Sequence, residues 1–104
     1  MLLKLIAIKK SQKKDKKLDA IFEKDGKEKI VSFGASGYTD FTKLPHDKEN
    51  KEKSEARKDL YIKRHQKREN FNDPLSKGAL SRYVLWSKPS LEQGIKEYKK
   101  KFNL

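Results

Sequence analysis

The dipeptide Asp25-Gly26 does more than any other feature to constrain this chain. It sits between two runs that alternate apolar and polar residues. An Asp-Gly pair in that setting suits a two-residue type I′ turn, which needs positive φ at both positions. The turn then fixes the register: Lys24 faces Lys27, Phe22 faces Lys29, Ala20 faces Val31 and Leu18 faces Phe33. Successive strand residues point to opposite faces, so Leu18, Ala20, Phe22, Val31 and Phe33 share one face. Ile21 and Ile30 pair on the other, beside Asp19, Ser32, Glu23 and Glu28. A half-buried antiparallel sheet requires one mostly apolar face of this kind. The Glu23–Glu28 pairing is mildly unfavourable. The apolar run Leu2-Leu3-Lys4-Leu5-Ile6-Ala7-Ile8 supplies a third strand, which makes a meander.

The second half reads as helix. Residues 47–68 are rich in Lys, Glu, Arg and Gln, all good helix formers. Residues 47–55 are polar all round, so helix is expected from about Ser54, ending near Glu69-Asn70. Asp73-Pro74 then breaks the chain. A second helix is expected over residues 78–86, with Leu80, Tyr83, Val84 and Ser87 on one face. Ser90 with Gln93 three residues on is a capping-box pattern. Leu91, Ile95, Tyr98 and Phe102 form the apolar stripe of a last helix. Glu92 in its first turn and the lysines at 99–101 in its last complement the helix dipole. The expected fold is α+β: an N-terminal antiparallel three-stranded β-meander packed against two or three C-terminal helices. It forms a single small basic domain over 1–104, with the meander at 1–33, an ordered loop and charged linker at 34–53, and the helical part at 54–104. The apolar sheet face should pack on Leu80, Val84, Trp86, Leu91, Ile95 and Phe102, with Trp86 at the centre of the helix packing.

Two connecting segments are distinctive. Residues 9–17 carry six Lys against one Asp and read as a solvated loop; the alternative is a flexible finger that touches phosphate. Residues 33–43, Phe-Gly-Ala-Ser-Gly-Tyr-Thr-Asp-Phe-Thr-Lys, read as an ordered corner that tucks Tyr38 and Phe41 into the core. A phosphate nest built on the glycines is the alternative. No P-loop or dinucleotide fingerprint is present.

Charge decides the class of partner. The chain has a formal net charge of +12 over 104 residues. Such an excess repels itself and attracts polyanions at long range. Nucleic acid, an anionic membrane surface and an acidic protein face all fit. There is no Cys, which excludes disulfides, thiolate metal sites and a Cys nucleophile. The apolar N-terminal run is too short to span a bilayer, and its basic cluster follows rather than precedes it, unlike a signal peptide. A chain that is not secreted and has no membrane span is therefore expected. His46 and His65 sit in no zinc motif. A metal-dependent nuclease would have to combine His65, Glu69 and Asn70 with Asp40 or Asp73, and no spacing demands it. The ordinary role for His65 and Asn70 is hydrogen bonding near a helix end. Neither a catalytic group, a metal, a cofactor nor a small-molecule substrate is indicated. Arg57, Lys63, Arg64, Lys67 and Arg68 cluster on one expected helix, with Lys58 among them, and Arg82 follows on the next. Arg forks hold phosphate or carboxylate bidentately, so Arg57, Lys63, Arg64, Lys67, Arg68 and Arg82 are the candidate binding residues. The bland alternative is a solvated helix.

Three blocks carry a family resemblance: Phe33-Gly34-Ala35-Ser36-Gly37-Tyr38-Thr39-Asp40-Phe41-Thr42, then Tyr61-x-x-Arg64-His65-x-x-Arg68-Glu69-Asn70-Phe71-Asn72-Asp73-Pro74, then Gly78-Ala79-Leu80-Ser81-Arg82-Tyr83-Val84-Leu85-Trp86. In this order the chain resembles the small basic proteins of large nucleocytoplasmic DNA viruses of algae and protists. It departs at residues 43–58, which are longer and richer in Lys and Glu. The resemblance implies a viral setting, in the virion or the host cytoplasm, and no catalytic residues. The expected function is a non-enzymatic basic viral protein that binds nucleic acid, DNA above all, through phosphate. A minor capsid or cement protein docked on acidic capsid subunits is the alternative, and a small nuclease a distant third.

Overall fold

The computed structural model describes residues 3–104. Met1 and Leu2, the first residue of the expected first strand, lie outside the described residues. Three antiparallel strands, β1 (Leu3–Lys10), β2 (Lys16–Lys24) and β3 (Lys27–Ala35), form one sheet in the order β1-β2-β3. The β2–β3 register is the one that Asp25-Gly26 dictates, including Ala20 opposite Val31 and Leu18 opposite Phe33. Asp25 has φ 52° and Gly26 φ 82°, the two positive values a type I′ turn needs. Between β1 and β2 the register shifts between Leu5 and Ala7. Ile6 is the extra residue of this bulge and projects to solvent.

The lysine-rich run is not the loop its composition suggests. Lys9 and Lys10 still pair with Asp19 and Leu18, and Lys16 pairs with Ala35. Only the residues between the strands turn, and Asp19 holds that turn down. Its carboxylate accepts hydrogen bonds from the Ser11 and Ser32 hydroxyls, both at 2.6 Å, and from the Gln12 amide at 3.3 Å. Led by the Ser11 and then the Ser32 bond, these contacts hold the Asp19 carboxyl below its usual range.

Three α-helices follow: α1 (Lys51–His65), α2 (Lys77–Leu80) and α3 (Leu91–Phe102). The chain is therefore α+β, sheet first and helices after. α1 starts earlier than its polar first turns suggest. Ser54 is buried there, its hydroxyl donating to the Pro45 carbonyl at 2.6 Å. α2 runs into one π-helical turn, Ser81–Leu85, in which the Trp86 amide reaches the Ser81 carbonyl at 3.1 Å. α3 begins on the expected box: the Ser90 hydroxyl accepts from the Gln93 amide at 3.2 Å.

The core joins Ala20, Phe22, Val31 and Phe33 of the sheet to Leu80, Val84, Trp86 and Tyr98 of the helices. Ile95 and Phe102 pack against it partly buried. Leu91 does not join them. It is 38% exposed, because the first turn of α3 projects past the core. Tyr38 also departs from its expected place and is 74% exposed. Gly37 turns the chain outward at φ 85°, and it is Phe41 that enters the core. Asp40 fixes this corner by capping a short 3-10 turn, Phe41–Lys43, through the Thr42 amide at 3.0 Å.

Candidate functional site

A cleft of about 780 Å³ opens between the ends of β2 and β3, the corner after β3, and the α1 and α2 helices. α1 contributes one of its walls. At roughly 100° per residue, Arg64 lies within about 20° of Arg57 around the helix, with Leu60 and Tyr61 between them. All four line the cleft. Glu52, Glu55 and Asp59 fall roughly 160–220° away, on the opposite side. The charges of α1 are therefore sorted: arginines face the hollow, and acids face away from it.

Aromatic stacking positions that wall. Trp86 lies against Tyr61 with ring centroids 4.5 Å apart, and Tyr61 lies against His65 at 4.2 Å. Burial pushes the Tyr61 hydroxyl up to about 12, opposed by the neighbouring Ser81 hydroxyl, so its ring is neutral at ordinary pH. Lys58, on the flank of α1, ties the helix down by donating to the Ser87 carbonyl at 3.2 Å. It also lies 4.8 Å from the Phe41 ring centroid.

The sheet side adds Lys16 and Lys17, and α2 adds Lys77. Two acids line the cleft, Asp40 and Glu69, and Asp40 is held in an ion pair. Asp40 is buried and accepts from Lys17 Nζ at 2.6 Å and from the Thr42 hydroxyl. Glu69 lies 3.8 Å from His65 Nδ1. Among the described residues Lys16, Arg57, Arg64 and Lys77 form no ion pair. The cleft thus presents four cations outside any ion pair, against the one carboxylate of Glu69. Tyr38 stands beside them, the one aromatic among the large exposed hydrophobic residues of the described chain.

Of the six residues singled out by sequence, the structure brings Arg57 and Arg64 together here. Lys63, Lys67 and Arg68 are exposed and do not line the cleft. Arg82 lies half-buried, 5.0 Å from the Tyr83 ring centroid and 3.4 Å from the Trp86 carbonyl. Lys16 and Lys17 belong to the run read as a solvated loop, with a phosphate-touching finger as the alternative, Tyr38 is placed in the core by the sequence, and Lys77 carries no expectation. Extending the alternation of β2 back from Leu18 is the signal that places Lys16 on the core side of the sheet. His65 and Glu69 adjoin, but no group of three His, Cys, Asp or Glu residues is placed to hold a metal ion among the described residues. No helix there is long and apolar enough to cross a membrane.

No curated protein and no solved structure matches the chain. Residues 6–65 match a family of unknown function, DUF5754. The matched segment spans most of β1 through the end of α1 and includes Lys16, Tyr38, Arg57 and Arg64. With more than half of its length matched, the chain belongs to the family DUF5754.

Proposed function

We propose that this protein is a non-enzymatic, basic nucleic-acid-binding protein that engages phosphate in the cleft between α1 and the sheet. One observation carries the proposal: Arg57 and Arg64 face the same hollow as Lys16 and Lys77, four cations outside any ion pair against the single carboxylate of Glu69, since Asp40 is already held by Lys17. Keeping four like charges together works against folding, and a polyanion bound among them removes that repulsion. Guanidinium forks suit phosphate oxygens geometrically as well as electrically. Binding of this kind is strongly salt-dependent and largely indifferent to sequence. The viral setting, and DNA as the natural polymer, rest on the resemblance of the three sequence blocks.

The experiment compares two charge-removing pairs in nucleic-acid binding at fixed salt. Arg57→Gln with Arg64→Gln should weaken binding severely. Lys63→Gln with Lys67→Gln removes the same charge outside the cleft and should weaken it far less. Equal losses from the two pairs would mean that net charge acts diffusely and that the cleft is not the site.

A further inference from the structure

We propose that the cleft takes single-stranded nucleic acid, with a base unstacked onto the ring of Tyr38 while the flanking phosphates sit on the cleft cations. The proposal rests on the phosphate-binding reading above and specifies the form of the polymer.

Three observations carry it. The first is Tyr38 itself. Its ring is 74% exposed at the edge of the hollow and pairs with no other aromatic ring among the described residues. Gly37, at φ 85°, turns the chain so that Tyr38 faces solvent rather than the core. A bare aromatic face beside a basic groove is the arrangement by which proteins hold single strands, because every base has a π-face to stack.

The second is the shape of the basic surface. A smaller hollow of about 330 Å³ shares Lys16, Lys17 and Asp40 with the cleft and adds Lys10 and Lys43. The two hollows meet at the start of β2, so the cations follow a track rather than a point. A flexible single strand conforms to such a track.

The third is what α1 withholds from a duplex. Reading the bases of a double helix calls for a protruding element that enters a groove about 12 Å wide, and holding its backbone without reading sequence calls for a basic outer surface. The outer side of α1 mixes Glu52 and Asp59 with Lys63, so it offers a duplex no unbroken positive surface. The arginines of α1 line the cleft, with their side chains open to solvent.

Fluorescence anisotropy at one fixed salt concentration tests the proposal, using labelled oligo-dT, oligo-U and a mixed-sequence duplex of equal length. Either single strand should bind more tightly than the duplex, and the tighter of the two names the natural polymer. Tyr38→Ala should weaken single-strand binding about fivefold or more, the loss of one stacked base, and leave duplex binding unchanged. Tyr38→Phe should retain it. Tyr38 is exposed, so both variants should keep the parent circular dichroism. Duplex binding as tight as single-strand binding, or no effect of Tyr38→Ala, would overturn this inference and leave the phosphate-binding proposal standing. Absence of binding to all three probes at low salt would overturn both.

Discussion

The rings of Tyr61 and Trp86 lie stacked within 8° of parallel, 4.5 Å between centroids. This contact joins α1, which is poor in apolar residues, to the buried turn after α2. Arg57 and Arg64 take their positions from it, since Tyr61 lies between them on the same face. Tyr61→Ala should therefore cost about 3 kcal/mol in denaturant unfolding, in the range for emptying a buried aromatic site. It should also shift Trp86 emission to the red. Tyr61→Phe keeps the stack and should cost about 1 kcal/mol or less. Equal losses from the two variants would assign the stabilisation to the hydroxyl instead.

A second close contact sets how α3 lies on the core. A Cβ built on Gly94 would fall 2.0 Å from the Val84 carbonyl oxygen, a backbone atom that has no rotamer to escape by. In an open helix Gly→Ala stabilises by about 1 kcal/mol. Here Gly94→Ala should instead destabilise by roughly 1–3 kcal/mol as the helix is pushed off the π-helical turn. A rise in melting temperature would contradict this packing.

Asp40 holds the corner through the Thr42 amide and hydroxyl and through Lys17. Removing one member of a buried ion pair leaves the other uncompensated, which costs about 3–5 kcal/mol. Asp40→Ala should approach that loss in chemical denaturation. Asp40→Asn keeps an acceptor for the Thr42 amide and should lose less. It should also free Lys17, adding one cation to the cleft and strengthening nucleic-acid binding.

Stability should fall at both ends of the pH scale, for different reasons. Burial raises the Tyr61 hydroxyl to about 12 and raises that of Tyr98 also, helped by Asp73. For both groups the folded state holds the proton more tightly than the unfolded chain. Their contribution is complete below pH 10 and is lost as pH climbs above 10, through about 12 for Tyr61. Asp19 has the opposite sign. Its hydrogen bonds lower its affinity for a proton in the folded state, so its contribution is present above 3.8 and lost as pH falls below that value. Melting temperature against pH should show both shoulders. In Tyr61→Phe the alkaline one should shrink, and in Asp19→Asn the acid one.

Legibility in the sequence followed the range of the interactions. Asp25-Gly26 and Ser90 with Gln93 act within a few residues, so the hairpin register and the start of α3 could be read directly. Arg57 and Arg64 were also legible, being two turns apart on one helix. Separating them from Lys63 and Lys67 was not possible, because the inward face of α1 is marked by Tyr61 meeting Trp86, a contact across the fold. Lys16 reads as part of a solvated run because its own place in β2 depends on pairing with Ala35 of β3, beyond the reach of local pattern. Tyr38 misled for a different reason: a Gly-Tyr corner permits either direction, and the capping of Thr42 by Asp40 decides that Phe41 goes in and Tyr38 out. Lys77 reaches the cleft only because the helical half folds back on the sheet.

The most direct test is the salt dependence of single-strand binding by the parent protein and by the Arg57→Gln, Arg64→Gln variant. Each phosphate neutralised adds about 0.7 to the slope of log K against log salt for a single strand. If the two guanidinium groups each hold one phosphate, the slope should flatten by about 1.4 in the double variant. An unchanged slope, with affinity equal to that of the parent, would show that the cleft arginines do not contact the polymer.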